Sequence, residues 1–224
     1  MAYLFDDASL ERLIMASAPL TAAPMSVSAW VYPDANQNNG LFCLYDGTSD
    51  EAFALLLQSG NTAAWFARHL AVNASASSAN TATLNTWNHV VGVESASNGR
   101  SVRLNGGTAG TDSTSKIPSG INAMLLASSI SGAGDVYLSG RLAEVGVWNV
   151  ALTADEQIAL SVGYSPTMIR PGNLVAYWPM DRTTFNTGAG AITLDRWRNG
   201  YSLTEVNTPA IADHPPMKYF IGPR

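Results

Sequence analysis

The sequence predicts an all-β fold, a sandwich of two antiparallel sheets that carries one short helix. Apolar and polar residues alternate with a period of two along most segments, which is typical of strands with one buried face. The 19 glycines and 11 prolines are spread along the 224 residues, as many short strands and turns require. One segment, at about residues 153–162, carries a helical start signal instead.

Composition indicates a single packed domain. Hydrophobic residues make up 46% of the chain and charged residues 13%, so a sizeable core can form and global disorder is excluded. We expect the sandwich to occupy residues 1–207. The proline-rich tail at residues 208–224 is expected to be extended, either packed along the body or docked on a neighbour.

The strands are predicted from alternation and from the turn residues between them. Residues 25–32 alternate clearly and end at Pro33. The loop at 46–50 separates two apolar runs, and Asn98 with Gly99 predicts a hairpin turn. Residues 73–80 are small and polar and are predicted to form a surface loop. The predicted strands are residues 25–32, 41–45, 52–57, 63–68, 88–93, 101–104, 123–127, 137–148, 174–179 and 201–206.

The helix has a defined beginning and end. Thr153 and Glu156 form a capping box, in which each side chain bonds the backbone amide of the other residue. Ile158, Ala159 and Val162 are expected to form an apolar stripe, and Gly163 is expected to end the helix.

Charge and hydropathy exclude two classes of partner. The net charge is −5 and no basic cluster exists, which argues against a nucleic-acid interface. No run approaches the roughly 18 apolar residues of a membrane span. Asp6 and Asp7 follow the first five residues at once, so no signal peptide is expected and synthesis in a cytoplasm is predicted.

Several segments resemble a known family. Residues 86–93 and 140–149 are alternating strands that begin or end at a tryptophan, and the second leads into the helix at 151–158. Together they resemble the laminin-G-like, concanavalin-A-like jelly-roll domains. Residues 5–9, 28–33 and 103–106 resemble further strands of the same family. Residues 174–180, 195–203 and 212–216 resemble laminin-G-like proteins encoded by tailed bacteriophages. The resemblance implies a jelly-roll sandwich, a fold that serves many functions.

The phage resemblance, the missing export signal and the low-lysine surface favour a non-enzymatic structural protein of a virion. A capsid decoration protein is predicted first, with the major capsid protein and copies of itself as partners. The alternative is a carbohydrate-binding adhesion module that contacts host surface glycans, possibly on a phage tail or fibre.

An enzyme is not expected. The jelly-roll glycanases carry two glutamates at close alternate spacing on one strand face, whereas Glu144 has Leu142 and Gly146 at those positions. Glu144 is therefore expected to bond an arginine or a backbone amide. His89 is expected to be structural, with its ring nitrogens bonded inside the sandwich. Cys43 is expected to be a buried, inert thiol.

Sugar contacts require an exposed aromatic side chain. Trp65 precedes Phe66, so one of the two points away from the core, and Trp65 is the predicted ligand contact. His69, at the end of the same strand, is the second candidate. The remaining tryptophans at strand ends, Trp87, Trp148 and Trp178, are expected in the core. Trp30 and Tyr32 are expected to face either the second sheet or a covering segment.

No cofactor is firmly expected. Asp46 and Asp50 flank a turn and are weak candidates for calcium, which needs roughly six to eight oxygen ligands. The competing interpretation is ordinary turn chemistry, in which an aspartate bonds its own backbone.

Overall fold

The computed structural model describes residues 1–130, 135–181, 192–193, 195–197 and 200–218. The strands are β1 (Ala2–Phe5), β2 (Arg12–Met15), β3 (Met25–Pro33), β4 (Asn39–Tyr45), β5 (Ala52–Leu57), β6 (Thr62–His69), β7 (Val72–Thr81), β8 (Asn88–Glu94), β9 (Arg100–Leu104), β10 (Gly110–Asp112), β11 (Ala123–Leu126), β12 (Ser128–Ser129), β13 (Val136–Tyr137), β14 (Gly140–Trp148), β15 (Leu174–Trp178), β16 (Ile192–Thr193), β17 (Leu203–Val206) and β18 (Ala210–Ala212). The helix α1 spans Ala154–Ser161, and a 3-10 helix spans Pro166–Met168.

The strands form two large antiparallel sheets. The first sheet has the order β10-β9-β8-β3-β14-β1-β18, with β15 paired to the far half of β14. The second sheet has the order β16-β17-β2-β11-β4-β5-β6-β7, and β12 pairs with β13 separately. Side chains that face inward from both sheets form one core, in which Trp178 is fully buried. The predicted all-β sandwich with a single short α-helix is confirmed for the described residues.

The surface loop predicted at residues 73–80 is wrong, because those residues belong to strand β7. Ala74 and Ala76 are buried there, whereas Ser75 and Ser77 are exposed. Buried and exposed residues do alternate along β7. The alternating residues are alanine and serine, however, which differ little in hydrophobicity. Pairing with β6 supplies the hydrogen bonds that the local sequence did not indicate.

The capping box of α1 is confirmed, and the predicted apolar stripe is wrong. The Thr153 hydroxyl accepts from the Glu156 amide at 3.4 Å, and the Glu156 carboxylate accepts from the Thr153 amide at 2.8 Å. The helix buries Leu160, which packs in a cluster with Trp148, while Ile158 and Val162 are exposed. None of the helices in the described part of the chain is long and apolar enough to cross a membrane.

Trp65 lies between the two sheets, so its predicted exposure is wrong. Its indole from β6 rests on Gly92 of β8, where an added Cβ would lie 2.3 Å from the ring. Its Nε1 donates to a Glu94 carboxylate oxygen at 2.9 Å, and the Phe53 ring stacks on it with centroids 6.5 Å apart. The neighbouring Phe66 takes the outward position instead.

Arg100 neutralises the carboxylate that Trp65 binds. The guanidinium donates to both oxygens of Glu94, at 2.9 and 3.2 Å, and to Asp112 at 2.9 Å. The side chains of Arg100 and Glu94 are inaccessible to solvent. Because each buried charge has several partners, the desolvation cost is offset, and removal of one partner would be strongly destabilising.

The C-terminal segment adds to the first sheet. Strand β18 pairs antiparallel with β1, and the chain then crosses the outer face of the sheet with Pro215 buried. Lys218 forms a parallel bridge with Tyr164 just beyond α1. Residues 219–224 of the predicted tail lie outside the described residues, as do positions 198 and 199 of the segment 195–203.

The contact between Trp65 and Gly92 gives the first prediction. Gly92→Ala should lower the free energy of unfolding by about 1–3 kcal/mol, because the new methyl group overlaps a ring held on all sides. The matched control is Gly172→Ala, where an added Cβ meets nothing within 4 Å, and its effect should stay within about 1 kcal/mol. Urea denaturation followed by tryptophan fluorescence measures both. Equal effects of the two changes would contradict the assigned packing.

The turn between β6 and β7 gives the second prediction. Leu70 and Ala71 form a two-residue loop with φ angles of 50° and 61°, a geometry that favours Asn-Gly. Leu70 is 71% exposed, so its side chain contributes little packing. The double change Leu70→Asn, Ala71→Gly should stabilise the fold by about 1 kcal/mol, because it relieves the left-handed backbone strain. Leu70→Ala is the control, since it removes the side chain and keeps the strain; a similar gain in this control would refute the explanation.

Candidate functional site

The outer face of the second sheet has a floor of small side chains. Ala52 and Ala54 of β5 and Ala64 of β6 point outward, next to the larger Leu56. Phe66 stands beside this floor on β6, and Tyr45 stands at the end of β4. The alternation that fills the core therefore leaves a recessed outer surface bordered by two aromatic rings.

Ile130 packs onto this floor and adjoins two cavities. The residue follows β12 and joins the outer cluster that contains Cys43 and Leu125. One cavity of about 430 Å³ lies on the Tyr45 side, and another of about 170 Å³ lies on the Phe66 side. Ile130 contributes to the walls of both. We call the two cavities together the second-sheet groove.

The larger cavity combines one phenol with charged and hydroxyl groups. Its lining includes Tyr45, Arg12, Thr48, Ser49 and Asp135. Burial raises the pKa of Tyr45 above its ordinary value, so its hydroxyl stays protonated at neutral pH and keeps a hydrogen to donate. The cavity therefore offers both donors and acceptors around an aromatic wall.

The smaller cavity offers side-chain amide donors. The Asn38 oxygen accepts from the Ser59 amide at 2.8 Å, and the Asn73 oxygen accepts from Arg68 Nη1 at 3.0 Å. Because both partners can only donate, they fix which atom of each amide is the oxygen. The amide nitrogens of Asn38 and Asn73 have no hydrogen-bond partner among the described residues, and both side chains are exposed. They are positioned donors that line a cavity with Phe66.

His69 lies outside the described lining of the groove. Its Nδ1 is 2.9 Å from Glu51, whose carboxylate also accepts from the amides of Leu70 at 3.1 Å and Ser119 at 2.9 Å. Burial alone would raise the pKa of Glu51, but these hydrogen bonds outweigh it and hold the pKa below its ordinary value. Glu51 thus bonds two other chain segments, the end of β6 and the loop at Ser119. The structure does not place His69 and Trp65 at one site.

The turn at residues 46–50 is closed by hydrogen bonds from its own backbone and side chains. Asp46 accepts from the Thr48 amide at 2.9 Å and from the Thr48 hydroxyl, which in turn accepts from the Asp50 amide at 3.3 Å. In the described ranges, no group of three or more His, Cys, Asp or Glu side chains is placed to share a metal ion. These hydrogen bonds match the turn interpretation of Asp46 and Asp50.

Glu144 is buried in the first sheet and binds Tyr177 and His214. It lies at a bulge in β14 with a φ of 54°, and its buried carboxylate accepts from the Tyr177 hydroxyl at 2.7 Å. His214 Nε2 lies 3.0 Å from the other oxygen. Within the described residues, β15 and the C-terminal segment supply these two partners from distant positions, and the expected arginine or backbone amide stays a prediction. Glu144 belongs to the first sheet, away from the groove.

His89 is structural as predicted, but only one ring nitrogen is bonded. Nε2 lies 2.9 Å from the Ser28 hydroxyl, and Nδ1 is buried without a partner among the described residues. The Trp30 ring packs against the imidazole with centroids 5.3 Å apart. Burial lowers the pKa of His89 to about 3, so the ring is neutral at ordinary pH.

The remaining aromatic predictions have mixed outcomes. Trp148 and Trp178 are fully buried, as expected. Trp30 is covered by a cluster that includes Met217, so a covering segment is confirmed there. Trp87 is partly exposed beside Tyr32, so its assignment to the core is wrong. Trp87 precedes β8 directly, and the strand pattern alone did not reveal that its ring lies on the outer face.

Another cavity, of about 660 Å³, lies between the β8–β10 edge and α1. Its charged lining residues Arg100 and Asp112 bind each other, and Gln157 bonds the Leu152 carbonyl at 2.8 Å. Its described lining contains no aromatic side chain. The second-sheet groove therefore offers a better site for a polar organic ligand.

Comparison with protein families identifies one match. The model described as the Concanavalin A-like lectin/glucanases superfamily matches residues 10–157. No curated protein sequence matches the chain.

Several solved structures share the fold. A putative carbohydrate-binding protein from Bacteroides ovatus aligns with a TM-score of 0.59 at 16% identity, covering 94% of this chain and 61% of that one. Domain 4 of an extracellular arabinanase from Geobacillus stearothermophilus, solved with arabinotriose, aligns with a TM-score of 0.55 at 16% identity, covering 67% and 72%. A heptameric pentraxin from Limulus polyphemus aligns with a TM-score of 0.51 at 19% identity, covering 70% and 78%.

The buried imidazole gives the third prediction. The unfolded chain takes up a proton on His89 below about pH 6.5, whereas the folded chain resists it down to about pH 3. The free energy of unfolding should therefore fall as pH decreases through this window, by up to about 1.4 kcal/mol per pH unit from this group. Urea denaturation at several pH values between 7.5 and 4.5 measures the slope. His89→Gln should have a shallower slope than the natural chain, and identical slopes would show that His89 protonates freely in the fold.

Proposed function

The chain belongs to the concanavalin A-like lectin/glucanases superfamily, and we propose that it is a non-catalytic carbohydrate-binding domain whose ligand lies in the second-sheet groove. One observation carries the proposal. The groove pairs aromatic rings with polar side chains, and the exposed amide nitrogens of Asn38 and Asn73 are held in place without a protein partner among the described residues.

This arrangement suits a saccharide. A pyranose has C–H faces that pack on aromatic rings, and its hydroxyl groups both donate and accept hydrogen bonds. Tyr45 and Phe66 supply the rings, one in each cavity. Asn38 and Asn73 supply donors, and Asp135 supplies an acceptor. The ligand chain would pass beside Ile130, which adjoins both cavities.

The distribution of carboxylates favours binding over hydrolysis. A glycosidase of the usual type needs two carboxyl groups about 5–9.5 Å apart across the scissile bond. Every Asp and Glu of the chain falls within the described residues, and Asp135 alone of them lines the groove. Glu144, the buried glutamate considered above, is held by Tyr177 and His214 on the other sheet.

Two of the similar structures fit the proposal by name. One is called a carbohydrate-binding protein, and the other is a domain solved with a bound arabinose oligosaccharide. At 16% identity they establish a common fold, so the ligand class rests on the groove itself.

The virion setting stays a prediction from the sequence pattern. A capsid decoration protein would bind the major capsid protein, whereas a glycan-binding module would bind host sugars through the groove. A virion location is compatible with the second role, because an adhesion module on a phage particle needs such a face.

The fourth prediction tests the groove by isosteric changes. Asn38→Asp and Asn73→Asp keep the oxygen that accepts from Ser59 or Arg68 and remove the free N–H donors. Each should weaken binding of a glycan selected from an immobilised panel by about tenfold, the cost of roughly one lost hydrogen bond. Isothermal titration calorimetry measures the dissociation constants.

The control for these variants is Asn98→Asp, which makes the same charge change at an exposed position outside the groove. It should leave affinity unchanged. Absence of binding to every glycan of the panel at millimolar concentration would refute the proposal. Equal weakening by all three variants would show that the added charge, rather than the lost donor, caused the effect.

A further inference from the structure

A row of partly exposed side chains crosses the outer face of the first sheet. Tyr32 of β3 is the register partner of Arg141 of β14, which is also opposite Leu4 of β1. Trp87 lies against Tyr32 on the other side, with ring centroids 5.7 Å apart. We call these four residues the first-sheet row. All four are partly accessible to solvent.

Arg141 has no polar partner in the part of the chain that the structure describes. Its guanidinium lies 4.4 Å from the centroid of the Tyr32 ring, and its Nε is buried without a hydrogen bond. Six other arginines are described, and each donates at least one hydrogen bond to a protein oxygen: Arg12, Arg68, Arg100, Arg103, Arg170 and Arg196. Arg141 thus holds its donors ready for an external acceptor.

An unpaired guanidinium of this kind is costly to retain. Burial removes water from Nε, and its lost hydrogen bond is not replaced within the described chain, whereas the two Nη groups are not among the buried unsatisfied atoms. The Tyr32 ring holds the guanidinium plane by a cation–π contact, which leaves the N–H fork pre-oriented. A flat, pre-oriented fork matches the paired oxygens of a carboxylate or a sulfate group.

The neighbouring row shows what a covered face looks like in this protein. Trp30 and Ala143 lie two positions further along the same strands and are buried, and Met217 of the C-terminal segment packs against their cluster. The described C-terminal residues leave Tyr32 and Arg141 partly open beside that cover. A ligand can therefore reach the guanidinium from the solvent side and meet the Trp87 ring as it does so.

We propose that the first-sheet row is a second binding site, which takes an acidic saccharide. Arg141 binds the oxyanion of the sugar, and Trp87 contacts the adjacent ring. The choice of a saccharide rests on the proposed carbohydrate-binding function, whereas the choice of an anion rests on Arg141 alone. The oxyanion is the carboxylate of a uronic acid or a sulfate ester, which present the same paired oxygens to the fork.

The experiment titrates the full chain with three probes. They are trigalacturonate, its neutral methyl ester, and a galactose trisaccharide that carries one sulfate ester. Isothermal titration calorimetry at low and high salt gives the dissociation constants. Trigalacturonate, the sulfated trisaccharide or both should bind at least tenfold more tightly than the neutral ester, and added salt should weaken that binding. The probe that binds more tightly identifies the type of oxyanion.

Two arginine variants separate the two sites. Arg141→Gln should weaken binding of the acidic probe at least tenfold, and Arg141→Lys should restore part of the loss because it keeps the charge without the fork. The control Arg12→Gln removes a guanidinium from the second-sheet groove and should leave acidic binding unchanged. Because Arg141→Gln loses no described hydrogen bond and only the cation–π contact with Tyr32, the urea concentration at its unfolding midpoint should change little.

The outcomes distinguish this proposal from the previous one. No detectable binding of either acidic probe at millimolar concentration overturns the first-sheet site, whatever the groove binds. Loss of acidic binding in Arg12→Gln but not in Arg141→Gln also overturns it, since the acid then lies in the groove. Acidic binding that depends on Arg141, without neutral glycan binding, supports this site and refutes the groove.

Discussion

The fold depends on one contact between the sheets, the Trp65 indole resting on Gly92. The ring fills the space above a residue without a side chain, so the sheets approach closely there. Its N–H then needs a buried acceptor, which Glu94 supplies, and the buried carboxylate needs a cation, which Arg100 supplies. One aromatic residue thereby requires a glycine, a carboxylate and a guanidinium at fixed places on neighbouring strands.

The same strand that buries Trp65 forms the proposed binding face. Because successive side chains on β6 point to opposite sides, Phe66 must face outward when Trp65 faces inward. Ala54 and Ala64 leave the face recessed beside Phe66, which forms a wall of a cavity together with Leu56. The packing of the core and the shape of the proposed binding face are thus linked, because successive side chains of β6 point to opposite sides of the sheet.

The two proposed binding surfaces carry positioned hydrogen-bond donors, unlike the networks around Glu51 and Glu94. Glu51 and Glu94 are buried, and each carboxylate is bonded by several protein donors. The amide nitrogens of Asn38 and Asn73 and the guanidinium of Arg141 are held in place without a described acceptor. Positioned donors without acceptors favour binding, because the ordering cost is already met by the fold.

The sequence by itself determined the strand-rich class, the single helix with its capping box, and the buried tryptophans Trp148 and Trp178, because these follow from local periodicity. Local pattern failed at β7, where alternation between alanine and serine gives little contrast. Tertiary structure alone decided that Trp65 faces inward and that Glu144 binds Tyr177 and His214, since these contacts join distant segments. The groove and the first-sheet row likewise arise from strand pairing, which sets the cross-strand neighbours that single-chain spacing does not show.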